Sequence, residues 1–346
     1  MGDKSRALGG QITGLRGTNH GPRVLAKVDM SRNGVPMSKD RPAKSRTLDA
    51  IRNLQDHPDA IVEAGEVADM RFPAGGRMSL RGAKLFHLLI QTAGVDVAEP
   101  IMHRLTLASL NQTFHVAIPE LIDLVDELHT TTLKLRLTDS NGRTYTKSGP
   151  ILSDVEREDE GQAQAELRFE FSPALRKAIA NSNHWAVISK RAVLSFESKY
   201  SLRLYTILSL RAGLRKTSDD FSMDELREML GVPDGRLTVW KDFRRRALEK
   251  AISEINHLAG FHAGFIPLKR GRKIIGVRLT WGLKDHDARA DALRELDRPR
   301  VGRKERREGR VERILELEGL QREDLATALT AAGMTANGQW LDTSSD

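Results

Sequence analysis

Two groups of basic side chains, close together in the sequence, are the residues best suited to bind a ligand. The helix cluster consists of Lys241, Arg244, Arg245, Arg246 and Lys250, and the wing cluster consists of Lys269, Arg270, Arg272 and Lys273. The planar fork of arginine can donate two hydrogen bonds to O6 and N7 of guanine, whereas lysine more often meets a phosphate. Nucleic acid is therefore the first hypothesis for the partner.

Signatures of catalysis and of cofactor binding are missing from the sequence. The chain has no cysteine, and none of its ten histidines has the His-x-His or His-Glu-x-x-His spacing of a metal site. Neither a G-x-x-x-x-G-K-[ST] loop nor a G-x-G-x-x-G turn is present. Tyr200 and Tyr205 are predicted to be core aromatics of a helix rather than nucleophiles. We expect no catalytic residue, no metal site, no cofactor and no enzymatic activity.

Charge is distributed unevenly along the chain. The 346 residues include 55 Lys and Arg against 47 Asp and Glu, which gives a net charge of +8. By segment, the net charge is +7 over residues 1–47, −6 over 48–189, +10 over 190–284 and −3 over 285–346. The segment that contains both clusters is thus more basic than the whole chain, which indicates a polyanionic partner for that segment.

Composition indicates a soluble globular protein of two domains. Hydrophobic residues make up 39% of the chain and charged residues 29%, and a domain has about 150 residues on average. No apolar run is long enough to span a bilayer, and the N-terminal residues lack the apolar stretch of a secretory signal. We expect a cytoplasmic protein without a membrane partner.

The first half of the chain has the pattern of a winged helix. Ser79 can cap a helix that ends at Gly94, a short helical piece is expected near residues 106–111, and Pro119 opens the amphipathic helix PELIDLVDELH. The apolar spacing then changes to the alternation of a strand, and the sequence DSNG predicts a hairpin turn. Strands are expected at 144–152 and 166–171, on either side of an acidic loop.

The same order of elements returns further along the chain. Three helices and two strands are expected at residues 197–212, 223–230, 239–259, 261–268 and 274–281. On the long third helix, an apolar stripe is formed by Phe243, Ala247, Ala251, Ile255 and Leu258. The helix cluster lies off this stripe, although Arg244 is nearer its edge. The wing cluster lies in the tight turn between the two strands.

The predicted fold class is therefore α+β, with two tandem winged-helix domains. We expect a disordered basic tail at residues 1–47, a first winged helix at 48–189, a second winged helix at 190–284, and a helical, partly disordered C-terminal appendage at 285–346. The appendage contains two helical patterns, around residues 303–318 and 321–332, which begin with the run of charged residues RPRVGRKERREGR. The run favours a solvated, partly ordered segment, and a pair of helices that binds a partner is the alternative.

Four stretches carry a resemblance to a known family. KYSLRLYTIL, FSMDELREMLGVPDG, WKDFRRRALEKAISEIN and PLKRGRKIIGVRLTW resemble, in order and spacing, the second winged helix of iteron-binding plasmid replication initiators, the Rep_3 (RepA/RepB/RepE-like) family. The resemblance is specific over about residues 190–284 and looser over 75–189, where FSPALRKAI contributes. It does not extend to the tail or the appendage.

The resemblance implies a function in plasmid replication and copy control in the bacterial cytoplasm. Such proteins bind iterons in double-stranded DNA at the origin as monomers, promote origin opening and recruit the host initiator and helicase proteins. As homodimers, in equilibrium with monomers, they bind an operator inverted repeat and repress their own promoter. By this resemblance, residues 190–284 would supply the main sequence-specific DNA contact. Residues 48–189 would supply dimerisation and a secondary DNA contact.

Two other functions remain possible from the residues alone. A dimeric winged-helix transcriptional regulator without an initiation role would use the same basic helix and wing. A DNA-nicking enzyme would need a nucleophilic tyrosine and a metal site, which the sequence does not indicate. The acidic balance of residues 48–189 makes dimerisation easier to credit to that domain than strong binding to phosphates.

Overall fold

The computed structural model describes residues 45–73, 78–139, 141–157 and 166–310. The predictions for residues 1–44 of the basic tail, for most of the acidic loop and for the chain beyond residue 310 lie outside these ranges. The predicted end of the tail at residue 47 is wrong, because Ser45 caps a helix that begins at Arg46. Within them, no helix has both the length and the apolar character needed to cross a membrane.

The N-terminal half of the described chain contains six helices and seven strands. The helices are α1 Arg46–Leu54, α2 Gly65–Ala68, α3 Leu80–Ala93, α4 Leu107–Asn111, α5 Ile118–Thr130 and α6 Pro173–Asn181. The strands are β1 Ala60–Ala64, β2 His103–Thr106, β3 Thr132–Thr138, β4 Thr144–Pro150, β5 Leu152–Arg157, β6 Glu166–Phe171 and β7 Trp185–Ser189. All pairings are antiparallel: β1 with β7, β3 with β4, and β6 between β2 and β5.

Local signals explain where α3 and α5 begin and end. The Ser79 hydroxyl accepts a hydrogen bond of 2.9 Å from the backbone N–H of Gly82, which caps α3. Gly94 ends α3 with φ of 54°, a left-handed value that glycine adopts without strain. Pro119 lies in the first turn of α5, where its missing N–H costs nothing. These helices were predictable because their caps are encoded within a few residues.

Strand β5 occupies a stretch that was expected to be the end of one strand and the start of an acidic loop. It pairs with β6 through backbone hydrogen bonds, and Leu152 is the one fully buried residue among those of the strand. Backbone hydrogen bonds to β6, the next strand along the chain, hold β5 in place, with only Leu152 and Val155 packed on the core. The side chains therefore carry little signal for it.

The C-terminal half begins with a short helix, which is followed by the second group of three helices and a sheet. Its helices are α7 Lys190–Ser195, α8 Lys199–Ala212, α9 Met223–Met229 and α10, which is continuous over residues 240–258. Its strands are β8 Ser218–Ser222, β9 Phe261–Arg270 and β10 Lys273–Leu283, in the order β8-β10-β9. The two strands of the wing are thus longer than expected, and β8 adds an unpredicted third strand.

Helix α8 is shared between the two halves. It packs against α2, α3 and β7 on one side and against α10 and β10 on the other. Arg203, which is 3% exposed, donates hydrogen bonds to the carbonyls of Ala68 at 3.2 Å, Met70 at 3.1 Å and Met229 at 3.2 Å. One buried guanidinium thereby ties the chain before α3 to the end of α9.

The start of the C-terminal appendage is helical, and most of its charge run, including Arg300 and Lys304, is exposed. Helices α11 His286–Asp297 and α12 Arg303–Arg307 pack against α10. Arg303 is 2% exposed and donates to Glu295 at 3.1 Å, while Arg306 donates to both oxygens of Glu295. Arg303 is the exception within the run, because Glu295 of α11, a helix that was not predicted, compensates its buried charge.

Candidate nucleic-acid interface

Helix α10 buries the predicted apolar stripe and exposes the predicted basic side chains. The stripe from Phe243 to Leu258 is at most 3% exposed, and its members pack against α8 and β9. Every residue of the helix cluster is exposed. The helix is thus anchored along one face and presents cations on the other, as a DNA-reading helix requires.

A wide turn in the middle of α10 was not predicted. Arg244–Glu249 is π-helical, so each hydrogen bond spans five residues instead of four. The extra residue places Leu248 in the core beside Ala247, and both are 0% exposed. Arg244, Arg245 and Arg246 all remain exposed on the opposite side. The adjacent apolar residues Ala247 and Leu248 were the signal in the sequence for this wide turn, because a regular α-helix would bury one of the two more than the other.

The charges of the helix cluster are only partly compensated. Arg244 lies 3.2 Å from Glu249, and Arg245 lies 3.8 Å from Asp242, in pairs that are about half-exposed. Exposed pairs of this kind contribute at most about 1 kcal/mol, so they exchange readily for a phosphate. Lys241, Arg246 and Lys250 form no ion pair within the described chain. The cluster therefore presents net positive charge to solvent.

The wing cluster surrounds the turn between β9 and β10. Arg270 pairs with Lys273 across the ladder, and Lys269 pairs with Ile274. Gly271 has φ of +61°, a value that favours glycine over any residue with a Cβ. All four basic residues are exposed, and none makes an ion pair in the part of the chain that the structure describes. Such a turn can flank a DNA backbone or enter a minor groove.

The structure places the wing and the start of α10 on one groove. A space of about 800 Å³ is bounded by α9, by the turn before α10, and by Trp240, Arg272 and Lys273. The Trp240 ring lies 6.2 Å from Phe243 and 6.4 Å from Phe265, in an edge-on arrangement with the latter. Trp240 therefore couples the first turn of α10 to β9 of the wing, a role that the sequence did not reveal.

Arg227 holds the turn that leads into α10. Its guanidinium donates to the carbonyl of Leu237 at 2.6 Å and to that of Arg236, and it lies 5.5 Å from the centre of the Phe243 ring. Leu237 has φ of 49°, an uncommon value for a residue with a Cβ. A bidentate donor at that point offsets the strain and fixes the direction of the helix. Arg227 was missed because its partners are backbone atoms.

Replacing Arg227 by lysine should weaken sequence-specific DNA binding by at least about tenfold. Lysine keeps the charge but cannot hold both carbonyls, and one lost charge-assisted hydrogen bond corresponds to about 1.5–3 kcal/mol. Fluorescence anisotropy with the cognate site and with unrelated DNA measures the effect, which should be larger for the cognate site. Equal affinity of Arg227→Lys and wild type for the cognate site would show that the turn needs no guanidinium.

The described residues include Tyr205, which lies in the core. Within them, no three His, Asp or Glu side chains are grouped to hold a metal ion. Tyr205 is buried, and its hydroxyl accepts a hydrogen bond of 3.0 Å from the N–H of Ser189. Burial raises the pKa of Tyr205 to about 12, so its phenol keeps its proton near neutral pH.

Two parts of the chain match models of one protein family. Residues 68–209 match the model described as "Initiator Replication protein, WH1", and residues 222–281 match "Initiator Rep protein, WH2". The predicted α+β fold with two winged helices is thereby confirmed. The first match includes α8, and the predicted boundary between residues 189 and 190 falls inside it. That boundary stays a prediction.

Solved structures similar to this chain include two replication proteins. The crystal structure of the Pi initiator protein in complex with iteron DNA is 20% identical, covers 66% of this chain and 98% of that chain, and has a TM-score of 0.47. The WH1 domain of MSBI1.176, a replication protein isolated from a multiple sclerosis patient, is 18% identical to this chain and has a TM-score of 0.24. The match covers 30% of this chain and 81% of that domain's chain. No curated protein matches the chain.

Proposed function

The chain belongs to the family of initiator Rep proteins, and from that premise we propose that it starts replication of a plasmid by binding iterons in double-stranded DNA at the origin. The observation that carries this proposal is the exposed helix cluster on α10, held on a buried apolar stripe beside a basic wing. In winged-helix proteins the third helix enters the major groove. Here, α10 would read the bases and the wing would contact the backbone.

The residues of the two clusters would have different roles in DNA binding, according to the chemistry of their side chains. Arg244, Arg245 and Arg246 would read guanines through paired hydrogen bonds, whereas Lys241 and Lys250 would meet phosphates. Lys269, Arg270, Arg272 and Lys273 would hold the adjacent backbone or the minor groove. These assignments rest on exposure, on charge and on the positions of the side chains at the helix and the turn.

The first winged helix is better suited to contact protein than to hold DNA tightly. Its helix α5 exposes Asp123 and Asp126, and Asp126 lies 3.6 Å from Arg157. Exposed carboxylates repel phosphates, so this helix favours a dimer contact or a weak secondary DNA contact. We assign to this domain a homodimer in equilibrium with the monomer, the dimer repressing the promoter of the gene through an operator inverted repeat.

Binding alone does not start replication, so further steps belong to the proposal. Occupied iterons would promote opening of the origin and bring in the host initiator and helicase proteins, with no catalytic step by this chain. The basic residues 1–47 would add attraction to DNA of any sequence. The family assignment and the absence of a nucleotide-binding motif support a role in recruitment rather than in ATP-driven unwinding.

A minimal replicon tests the proposed function. The gene and its flanking DNA are joined to a resistance marker that has no other replication gene, and the circle is introduced into a bacterial host. We expect it to replicate with the intact gene and to be lost with a frameshift. If purified protein binds the flanking DNA but the circle is lost in every host tried, the chain is a regulator rather than an initiator.

A further inference from the structure

A group of cations outside both basic clusters lines a pocket of about 400 Å³. The pocket lies between α3, the loop that follows α4, the end of α7 and the segment between α11 and α12. Its cationic lining is Arg81, Lys84 and Arg300, with His115 beside them, and no Asp or Glu side chain is part of its wall. A volume of this size is in the range of small-ligand sites.

Lys84 is a buried cation without a carboxylate partner in the described chain. It is 7% exposed, and its Nζ donates to the carbonyl of Leu194 at 2.7 Å. Desolvation lowers the pKa of Lys84 to about 8, and the charges of Arg300 and Arg81 act in the same direction. Glu254 and Glu197 act weakly in the opposite direction. The amine thus lies in surroundings that would be stabilised by a bound negative charge.

Arg300 contacts the same carbonyl oxygen as Lys84 does. Its Nη2 also donates to the carbonyl of Leu194 at 2.7 Å, although Arg300 comes from the segment after α11. The carbonyl lies in the last turn of α7, where one cation would favour the helix dipole. A second cation at 2.7 Å adds repulsion to that contact, so capping of α7 does not explain the pair. Both side chains retain further N–H donors.

Arg81 forms the rim of the pocket and is already partly compensated. Its guanidinium forms an ion pair with Glu120, donates to the carbonyl of His115 at 2.7 Å and lies 4.7 Å from the centre of the Phe114 ring. These contacts fix Arg81 and the loop that carries His115. The wall is therefore shaped by fixed contacts, while Lys84 and Arg300 carry the uncompensated charge.

We propose that this pocket binds a phosphate group, with Lys84 and Arg300 as the charged donors and His115 beside them. A phosphate offers several acceptor oxygens and up to two negative charges, which match two cations that share a single neutral acceptor. The group could belong to a free phosphate compound or to the DNA backbone; only the second source rests on the proposed function. In either case the site is distinct from α10 and the wing.

Two charge-removing variants of the full chain test the site. Lys84→Met keeps most of the side-chain volume, and Arg300→Met alters an exposed residue, so it reports even if Lys84→Met fails to fold. Arg52→Met is the matched control, because Arg52 is exposed on α1 and, among the residues that the structure describes, pairs with the nearby Asp49 alone. All four proteins are compared for thermal unfolding and for DNA binding.

The first measurement uses inorganic phosphate against chloride at equal ionic strength. If the site takes free phosphate, phosphate should raise the melting temperature of the wild type and of Arg52→Met by about 2–5 °C, and of the other variants by much less. The second measurement is the salt dependence of binding to DNA. If the backbone occupies the site, Lys84→Met and Arg300→Met should each reduce the salt slope by about one, and Arg52→Met should not.

Together, the two measurements distinguish free phosphate from the DNA backbone as the ligand, and they include an outcome that contradicts the proposal. A phosphate-dependent shift that both pocket variants lose supports a free phosphate ligand, and a reduced slope without that shift supports the DNA backbone. If neither the melting temperature nor the slope distinguishes Arg300→Met from Arg52→Met, the pocket binds no phosphate. Failure of the wild type to prefer its own flanking DNA would count against the proposed function and leave the phosphate measurement valid.

Discussion

Alanine at both Arg245 and Arg246 is expected to weaken binding to the cognate repeats by at least roughly 30-fold. Both side chains are exposed on α10, and Arg246 makes no ion pair in the described chain. A bidentate contact to guanine contributes about 1–3 kcal/mol of discrimination, so two such contacts correspond to about 2–6 kcal/mol. Because neither residue supports the core, the fold should be unchanged.

Sequence preference is the decisive quantity for this double variant. Anisotropy titrations at one salt concentration, with the cognate repeat and with scrambled DNA, give the ratio of the two affinities. Alanine at Arg289 and Arg294 of α11, which are also exposed, removes the same charge and should leave that ratio unchanged. A preserved ratio in the Arg245 and Arg246 double variant would mean that α10 does not read bases.

The largest loss of stability is expected from Arg203→Met. The guanidinium of Arg203 is buried and supplies charged donors to three backbone carbonyls that come from two distant segments. Methionine fills much of the volume but leaves those carbonyls without donors in the core. Leaving a buried acceptor without its donor typically costs about 1–3 kcal/mol, so three such carbonyls correspond to at least about 3 kcal/mol. Urea unfolding monitored by circular dichroism measures this difference.

The control for Arg203→Met is an arginine in an exposed pair. Arg278 forms two hydrogen bonds with Asp220, at 2.6 and 2.8 Å, on the outer face of the β8-β10-β9 sheet. Water can replace both contacts, so Arg278→Met should unfold at nearly the urea concentration of the wild type. If Arg203→Met and Arg278→Met unfold at the same concentration, Arg203 does not hold α8 to its neighbours.

Much of the fold was predictable because its signals are local. The Ser79 cap, the Pro119 start and the apolar stripe of α10 each lie within one element, and the stripe placed the helix cluster on the exposed face of α10. Of the wing cluster, only Arg272 lies in the turn itself, because β9 and β10 extend further than predicted and include Lys269, Arg270 and Lys273. Strand β8 was missed because backbone pairing with the distant β10 holds it, and β5 was missed because its sequence LSDVER is polar and lacks a clear apolar alternation. Helix α11 was also missed, and with it the compensation of Arg303 by Glu295.

The residues that position the site were less predictable than those that form its surface. Arg227 acts on carbonyls eight or more positions along the chain, and Trp240 acts through a contact with Phe265 on another element. The isolated arginine in the acidic helix MDELREM was a weak signal for the first. Such roles depend on which segments fold against each other, and spacing within one element does not encode that.

Footprinting of the intact chain on the DNA that flanks its gene tests the central claim most directly. We expect protection of direct repeats of about 20 base pairs, because two winged helices on one face of the duplex cover about two helical turns. Protection should disappear on scrambled repeats at the same salt concentration. Uniform protection of flanking and unrelated DNA would contradict the claim that α10 and the wing recognise repeated sites.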